Sequence, residues 1–211
     1  MSEIGLLASE VACIIRVLAD KEPDSGKLDA IYLFHQTEHN ASSSIQTAQK
    51  LYRRLKERRN GEPVPVAVAG WETSICGPGY MVWREWLGVE PIVVVPPIDL
   101  VNTNTYTESK ALARAAALAG WRNIIIIAPP FHLPRAFITS VSVLESPVRV
   151  YACPGQVLGW NTSSIHSQGV ETGTWMNFAE GEIGKIRKYQ KKGDLLPFPK
   201  VVEYLNDRDR Q

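Results

Sequence analysis

The chain has 211 residues, 45% of them apolar and 21% charged, with a formal net charge of +1. That length supports one substantial core without help from disulfides or a structural metal, and the near-zero charge gives no bulk attraction to nucleic acid or to an acidic membrane. The three cysteines, Cys13, Cys76 and Cys153, form no CxxC pair, which argues against a cysteine-rich zinc site or a disulfide framework.

The first apolar stretch, residues 4–8 and 11–18, is interrupted by Ser9, Glu10 and Arg16. It lacks a basic leading region and is too short for a membrane span, so an amphipathic helix packed on the domain is expected, in a chain read as cytoplasmic. From there strand-like and helix-like segments alternate. Strands are predicted at 28–34, 64–69, 92–95, 124–128 and 148–152. Helices are predicted at 45–58, after the Gly77-Pro78-Gly79 turn as far as Gly88, at 106–119 closed by Gly120, and at 134–144. Ile124, Ile125, Ile126 and Ile127 run without polar alternation, the pattern of a central parallel strand covered on both faces. Together these units predict one α/β domain over 1–211, with a strand–helix core at 28–152. Residues 154–173, rich in Gly, Ser, Thr and Asn, read as a long loop near the site; a last helix is expected at 174–192, and residues 206–211 read as a frayed charged tail.

In an open parallel sheet, ligands bind outside the carboxyl ends of the strands. The segments there are polar: His35 to Asn40 after the first strand, Gly70 to Ser74 after the second, Asp99 to Thr105 after the third and Phe131 to Arg135 after the fourth. Thr105 and Glu108 fit a capping box at the start of a helix, whose free N–H groups and positive end can equally cradle an anion. Pro134 suits a first helical turn, which puts Arg135 at the unfavourable end of a helix dipole. Arg135 therefore calls for a negative partner: Glu108, Asp99 or a bound phosphate or carboxylate. His132, beside it, titrates near neutral pH. No GxGxxG, GxxxxGK[ST] or GxSxG motif occurs, which removes dinucleotide, P-loop and α/β-hydrolase readings. His35 and His39 have the spacing of a helical metal pair but lie in an expected loop, so no metal site is assigned. Trp83 and Trp86 are expected in the core, while Trp71 and Trp160 lie in loops, as hydrophobic lids or as stacking surfaces. The basic run 185–192 reads as a solvated helix face.

Asn104-Thr105 with Glu108, the run Phe131-His132-Leu133-Pro134-Arg135-Ala136, Gly88-Val89 and Glu182-Ile183-Gly184 together resemble the DUF218 family, also called YdcF-like or SanA/YdcF-like. The similarity runs from the strand at Leu28 through most of the chain. His35-Gln36 stands where that family carries Gly-Gly, and Ala69-Gly70-Trp71 where it carries Ser-Gly-Gly, so a pocket of altered shape is expected. The resemblance implies a Rossmann-like, three-layer α/β fold with a mostly parallel sheet of about five strands. It also implies a nucleotide-like or S-adenosylmethionine ligand. Two functions follow as expectations. One is hydrolysis or transfer chemistry on a small phosphorylated or nucleotide-like metabolite. In it His132 and Glu108 would be the catalytic groups, and His35, Gln36, Asp99, Asn104, Thr105 and Arg135 would bind the anion, with S-adenosylmethionine or a divalent cation as the cofactor to test. The other is a non-catalytic module binding the same class of metabolite.

Overall fold

The isoleucine run fills the middle of the sheet. In the computed structural model, which describes residues 7–34, 37–70, 80–99, 103–145, 147–161, 163–166 and 171–210, Ile124, Ile125, Ile126 and Ile127 are at most 1% exposed. They belong to β4 (Asn123–Ala128), which lies between β1 (Ala30–Leu33) and β5 (Arg149–Pro154). With β2 (Val66–Ala69) and β3 (Ile92–Val95) the sheet has the order β3-β2-β1-β4-β5, and every pairing is parallel. Tyr32 is in register with Ala67 on one side and Ile126 on the other.

Successive side chains along each strand point to opposite layers. Ile125 and Ile127 pack with α2 (Glu38–Arg58) and α3 (Tyr80–Leu87), through residues such as Leu51, Leu55, Trp83 and Leu87. Ile124 and Ile126 pack with the other layer, formed by α1 (Ala8–Leu18), α4 (Thr105–Ala119), α5 (Leu133–Val143), α6 (Trp175–Lys192) and α7 (Phe198–Asp209). The result is a three-layer, Rossmann-like α/β fold. After β3 the chain returns to the far side of β1 and the connecting helices change layer. The carboxyl ends of β1 and β4 therefore flank the topological switch point, where ligands of such sheets bind. Among the described residues no helix is long and apolar enough to cross a membrane.

Three segments differ from the sequence-based expectation. Helix α2 starts at Glu38, not near Ile45. Its first buried positions are Asn40, Ala41, Ser43 and Ser44, three of them polar, and Asn40 and Ser43 face backbone: Asn40 Nδ2 donates to the Ile165 carbonyl at 2.9 Å, Ser43 Oγ donates to the Gln156 carbonyl at 2.7 Å, and the Gln156 N–H donates to the Ser43 carbonyl at 3.0 Å. A Cβ on Gly155 would come within 2.4 Å of Ser43 Oγ, so this close crossing needs glycine. The stretch expected as one long loop contains an antiparallel hairpin, β6 (Ser163–His166) with β7 (Glu171–Thr174), forming a sheet of its own. The charged tail is the end of α7, and Arg208 is only 4% exposed. Its charge is matched internally by Asp20, which sits in the turn after α1, with contacts of 2.5 and 2.7 Å.

Helix α1 is amphipathic as expected, with Cys13 and Val17 fully buried. It is clamped to α6 by Glu10, which accepts from Arg187 Nε and NH2 at 2.7 Å each. Those hydrogen bonds hold the Glu10 carboxyl below its ordinary value of 4.5, against the opposing effect of burial. Because the folded carboxyl is the more acidic, the clamp's stabilisation is complete above the unfolded value and is lost as pH falls through the lowered folded one. Melting temperature measured against pH is expected to fall more steeply below pH 4.5 in the parent than in a Glu10→Gln variant. Parallel acid limbs would contradict the clamp.

Candidate functional site

Helices α4 and α5 start side by side at the carboxyl edge, and Arg135 joins them. Its NH1 donates to Thr105 Oγ1 at 2.5 Å. The negative partner it requires is Glu182 of α6: Nε donates to Oε2 at 2.5 Å and NH2 to Oε1 at 3.0 Å. This is a bidentate pair. It replaces the sequence-based candidates Glu108 and Asp99, and it offsets the unfavourable position of Arg135 at the positive end of α5. Lys185 lies 3.5 Å from Glu182 Oε1.

His132 shares the same carboxylate. Its Nδ1 lies 2.9 Å from Glu182 Oε2 and 3.2 Å from Arg135 NH2. A carboxylate only accepts, so a His132–Glu182 hydrogen bond places the proton on Nδ1 and leaves Nε2 as the basic nitrogen. The His132 and Glu182 side chains are 4% and 2% exposed, and Arg135 is 11% exposed. Edge-on to the His132 ring, with centroids 6.3 Å apart, stands Phe34 at the end of β1. The cluster therefore sits beneath the β1–β4 switch point.

No family model, curated protein or solved structure matches this chain. The site stands on its own geometry.

The capping box expected of Thr105 and Glu108 is made by other residues. The N-cap of α4 is Asn104, not Thr105. Its Oδ1 accepts from the N–H groups of Tyr106 at 2.9 Å and Thr107 at 3.1 Å, and Thr107 Oγ1 accepts from the Asn104 N–H at 3.0 Å. The box thus closes on Thr107, which frees Thr105 for Arg135. Two of the helix's first N–H groups are already occupied, so an anion here would meet side chains more than helix amides. Glu108 accepts instead from Tyr32 Oη at 3.2 Å. Burial in the sheet, reinforced by the Glu108 charge, pushes the Tyr32 phenol well above its ordinary value, so it remains a proton donor to that carboxylate. Asp99 is half-buried in the segment after β3. His35 and Gln36 lie outside the described residues.

Glu182 and Tyr32 were not among the residues assigned to the site from sequence. Glu182 carries a readable signal. Trp175, Phe178, Glu182 and Ile186 are the buried positions of α6, and a carboxylate in the middle of an apolar stripe needs a buried cationic partner.

A small cavity of about 20 Å³ lies behind Arg135 and Thr105, bordered by Thr139, Tyr189 and Asp194. It has room for about one water molecule, not for a metabolite. Towards the switch point the neighbours are Phe131, Trp175 and Phe178, a separate aromatic cluster. Trp175 Nε1 donates to Asn40 Oδ1 at 2.8 Å, tying α6 to the start of α2. Trp160 packs edge-on against Trp175 with centroids 6.2 Å apart, so it acts as a partial cover over that cluster. Among the described residues no group of three or more His, Cys, Asp or Glu gathers that could hold a metal ion.

Proposed function

We propose that this chain is a DUF218-like protein that binds a small phosphorylated or nucleotide-like anion at the β1–β4 switch point, with His132, Arg135 and Thr105 on the side of the ligand. What carries the reading is the convergence of Thr105, His132–Arg135 and Glu182. These are the segments on which the resemblance rests, and the Arg135 guanidinium bonds to Thr105 and to Glu182 and lies against the His132 ring. Buried polar networks that tie separate helices together at the carboxyl edge of a parallel sheet are where ligand recognition is expected. Glu182 holds the guanidinium in one orientation, so the N–H groups of Arg135 that Glu182 and Thr105 leave over are presented to the ligand in a fixed direction. Calorimetric titration with inorganic phosphate, AMP and S-adenosylmethionine tests this directly. Binding of at least one, weakened tenfold or more in an Arg135→Lys variant, is the expected result. No heat from any of the three, or equal affinity in both proteins, would refute it.

The His132–Glu182 hydrogen bond favours the catalytic version of the proposal over a passive binding module. With Nδ1–H held by a carboxylate, Nε2 is the nitrogen that would take up or deliver a proton. His132→Gln is expected to abolish hydrolysis of phosphorylated test substrates while leaving the circular dichroism spectrum unchanged. Undiminished turnover would remove His132 from the chemistry. S-adenosylmethionine remains a ligand to test in this scheme, but a divalent cation at Glu182 does not fit: both carboxylate oxygens are engaged by Arg135 and His132, with Lys185 close by. A metal ion there would face existing positive charge.

A further inference from the structure

The β6–β7 hairpin is built inside out for a structural element. Ser164 and Gly173 are opposite each other; Ser164 is 6% exposed, while its neighbour Ile165 is 38% exposed. A hairpin held by the hydrophobic effect turns its isoleucine inward. This one buries a serine against a glycine and forms a two-stranded sheet separate from the main one, an arrangement with little stability of its own. Polar contacts to the start of α2 hold it in place. Thr37 Oγ1 donates to the Ile165 carbonyl at 2.6 Å, and Asn40 Nδ2 donates to the same carbonyl at 2.9 Å and to Thr37 Oγ1 at 3.0 Å. The other side of the Asn40 amide accepts from Trp175 Nε1. Asn40 is fully buried and joins α2, β6 and α6. Ser164 Oγ, and Ser44 Oγ one helical turn beyond Asn40, are buried with no hydrogen-bond partner, an unfavourable state for a permanently closed contact.

We propose that the β6–β7 hairpin is a lid over the β1–β4 crevice, with Asn40 as its latch: it lifts to admit the anionic ligand and closes over it. The inference rests on the ligand site proposed above. It accounts for a hairpin that, among the described residues, is tied to the start of α2 through the Ile165 carbonyl while the Ile165 side chain stays exposed. It also explains why α6, which carries Glu182, begins immediately after the hairpin at Trp175. Lifting the hairpin releases Ile165 from Thr37 and Asn40 and leaves the five-stranded sheet intact.

Hydrogen–deuterium exchange of the full chain, read by mass spectrometry and paired with calorimetry, tests the lid. Amides of β6 and β7 are expected to exchange at least about 100-fold faster than those of β4, through local opening. Asn40→Ala should accelerate the hairpin by about tenfold and leave β4 unchanged, as expected for the loss of hydrogen bonds worth about 1.4 kcal/mol. AMP, inorganic phosphate or S-adenosylmethionine, whichever binds by calorimetry, should slow the hairpin. A hairpin that exchanges as slowly as β4 overturns the lid. So does one that a calorimetrically bound probe leaves unprotected, with the binding function still standing. Absence of both binding and protection overturns the lid and the proposed function together.

Discussion

Replacing Glu182 with alanine is expected to cost about 3–5 kcal/mol of stability, because it removes the carboxylate that balances a nearly buried guanidinium and holds His132 Nδ1. In a chain of this size that loss lowers the melting temperature by on the order of 10 °C. The carboxylate is the hub of the cluster: it accepts from Arg135 through both oxygens and holds His132 Nδ1. Glu182→Gln keeps the shape and one carbonyl acceptor, so it should lose less stability. It should nevertheless weaken anion binding, because the positions of Arg135 and His132 are no longer fixed. Thermal denaturation of the parent and both variants checks the order. A Glu182→Ala protein within about 1 kcal/mol of the parent, the range of an exposed pair, would mean that Arg135 and His132 have adequate alternative partners.

A similar loss is expected at edge strand β5, from Arg208→Ala. The Arg208 and Asp20 side chains are 1% and 4% exposed. Arg208 also donates to the Val150 carbonyl at 2.7 Å and lies over the Tyr151 ring, 4.4 Å from its centroid. Asp20 Oδ2 accepts from the Ala152 N–H at 2.9 Å. Together they pin α7 and the end of α1 to edge strand β5. Burial alone would lower the guanidinium's proton affinity, but the Asp20 hydrogen bonds and charge outweigh it and leave Arg208 above its ordinary value. Removing one partner should therefore cost about 3–5 kcal/mol. Replacing both Asp20 and Arg208 should cost less than the sum of the single losses, with a coupling of about 1–3 kcal/mol. Additive losses in urea denaturation would show that the pair is not a unit.

The sheet was legible because its signals are local. Strand β3 has the predicted bounds Ile92–Val95, and Gly120 closes α4 in the left-handed conformation at φ 70°. Four consecutive isoleucines left little choice for β4. The missed elements have polar buried faces. Asn40 and Ser43 bond to backbone and Ser44 is buried beside them, so α2 begins before its long apolar side chains do. Arg208 sits in a run of charges that resembles a solvated tail, yet its partner Asp20 is 188 residues away.

The site divides in the same way. Thr105, His132 and Arg135 could be placed at the carboxyl edge because each follows a recognisable strand end. Their partners could not, because pairing depends on how α6 lies across α5. Glu182 is 47 residues from Arg135. Tyr32 shares its four-residue strand β1 with alanine, isoleucine and leucine, and nothing in that strand announces that its hydroxyl meets Glu108. The capping box at α4 was misassigned by one residue because Asn104 and Thr105 are both good caps. The structure decides between them by giving Thr105 to Arg135.

The most direct test is a crystal structure of the protein soaked with AMP. The account predicts phosphate density beside His132 and Arg135, within hydrogen-bonding distance of at least one of them and with the Glu182 bridge intact. AMP ordered elsewhere on the molecule, with the His132–Arg135–Glu182 cluster sealed and untouched, would contradict it.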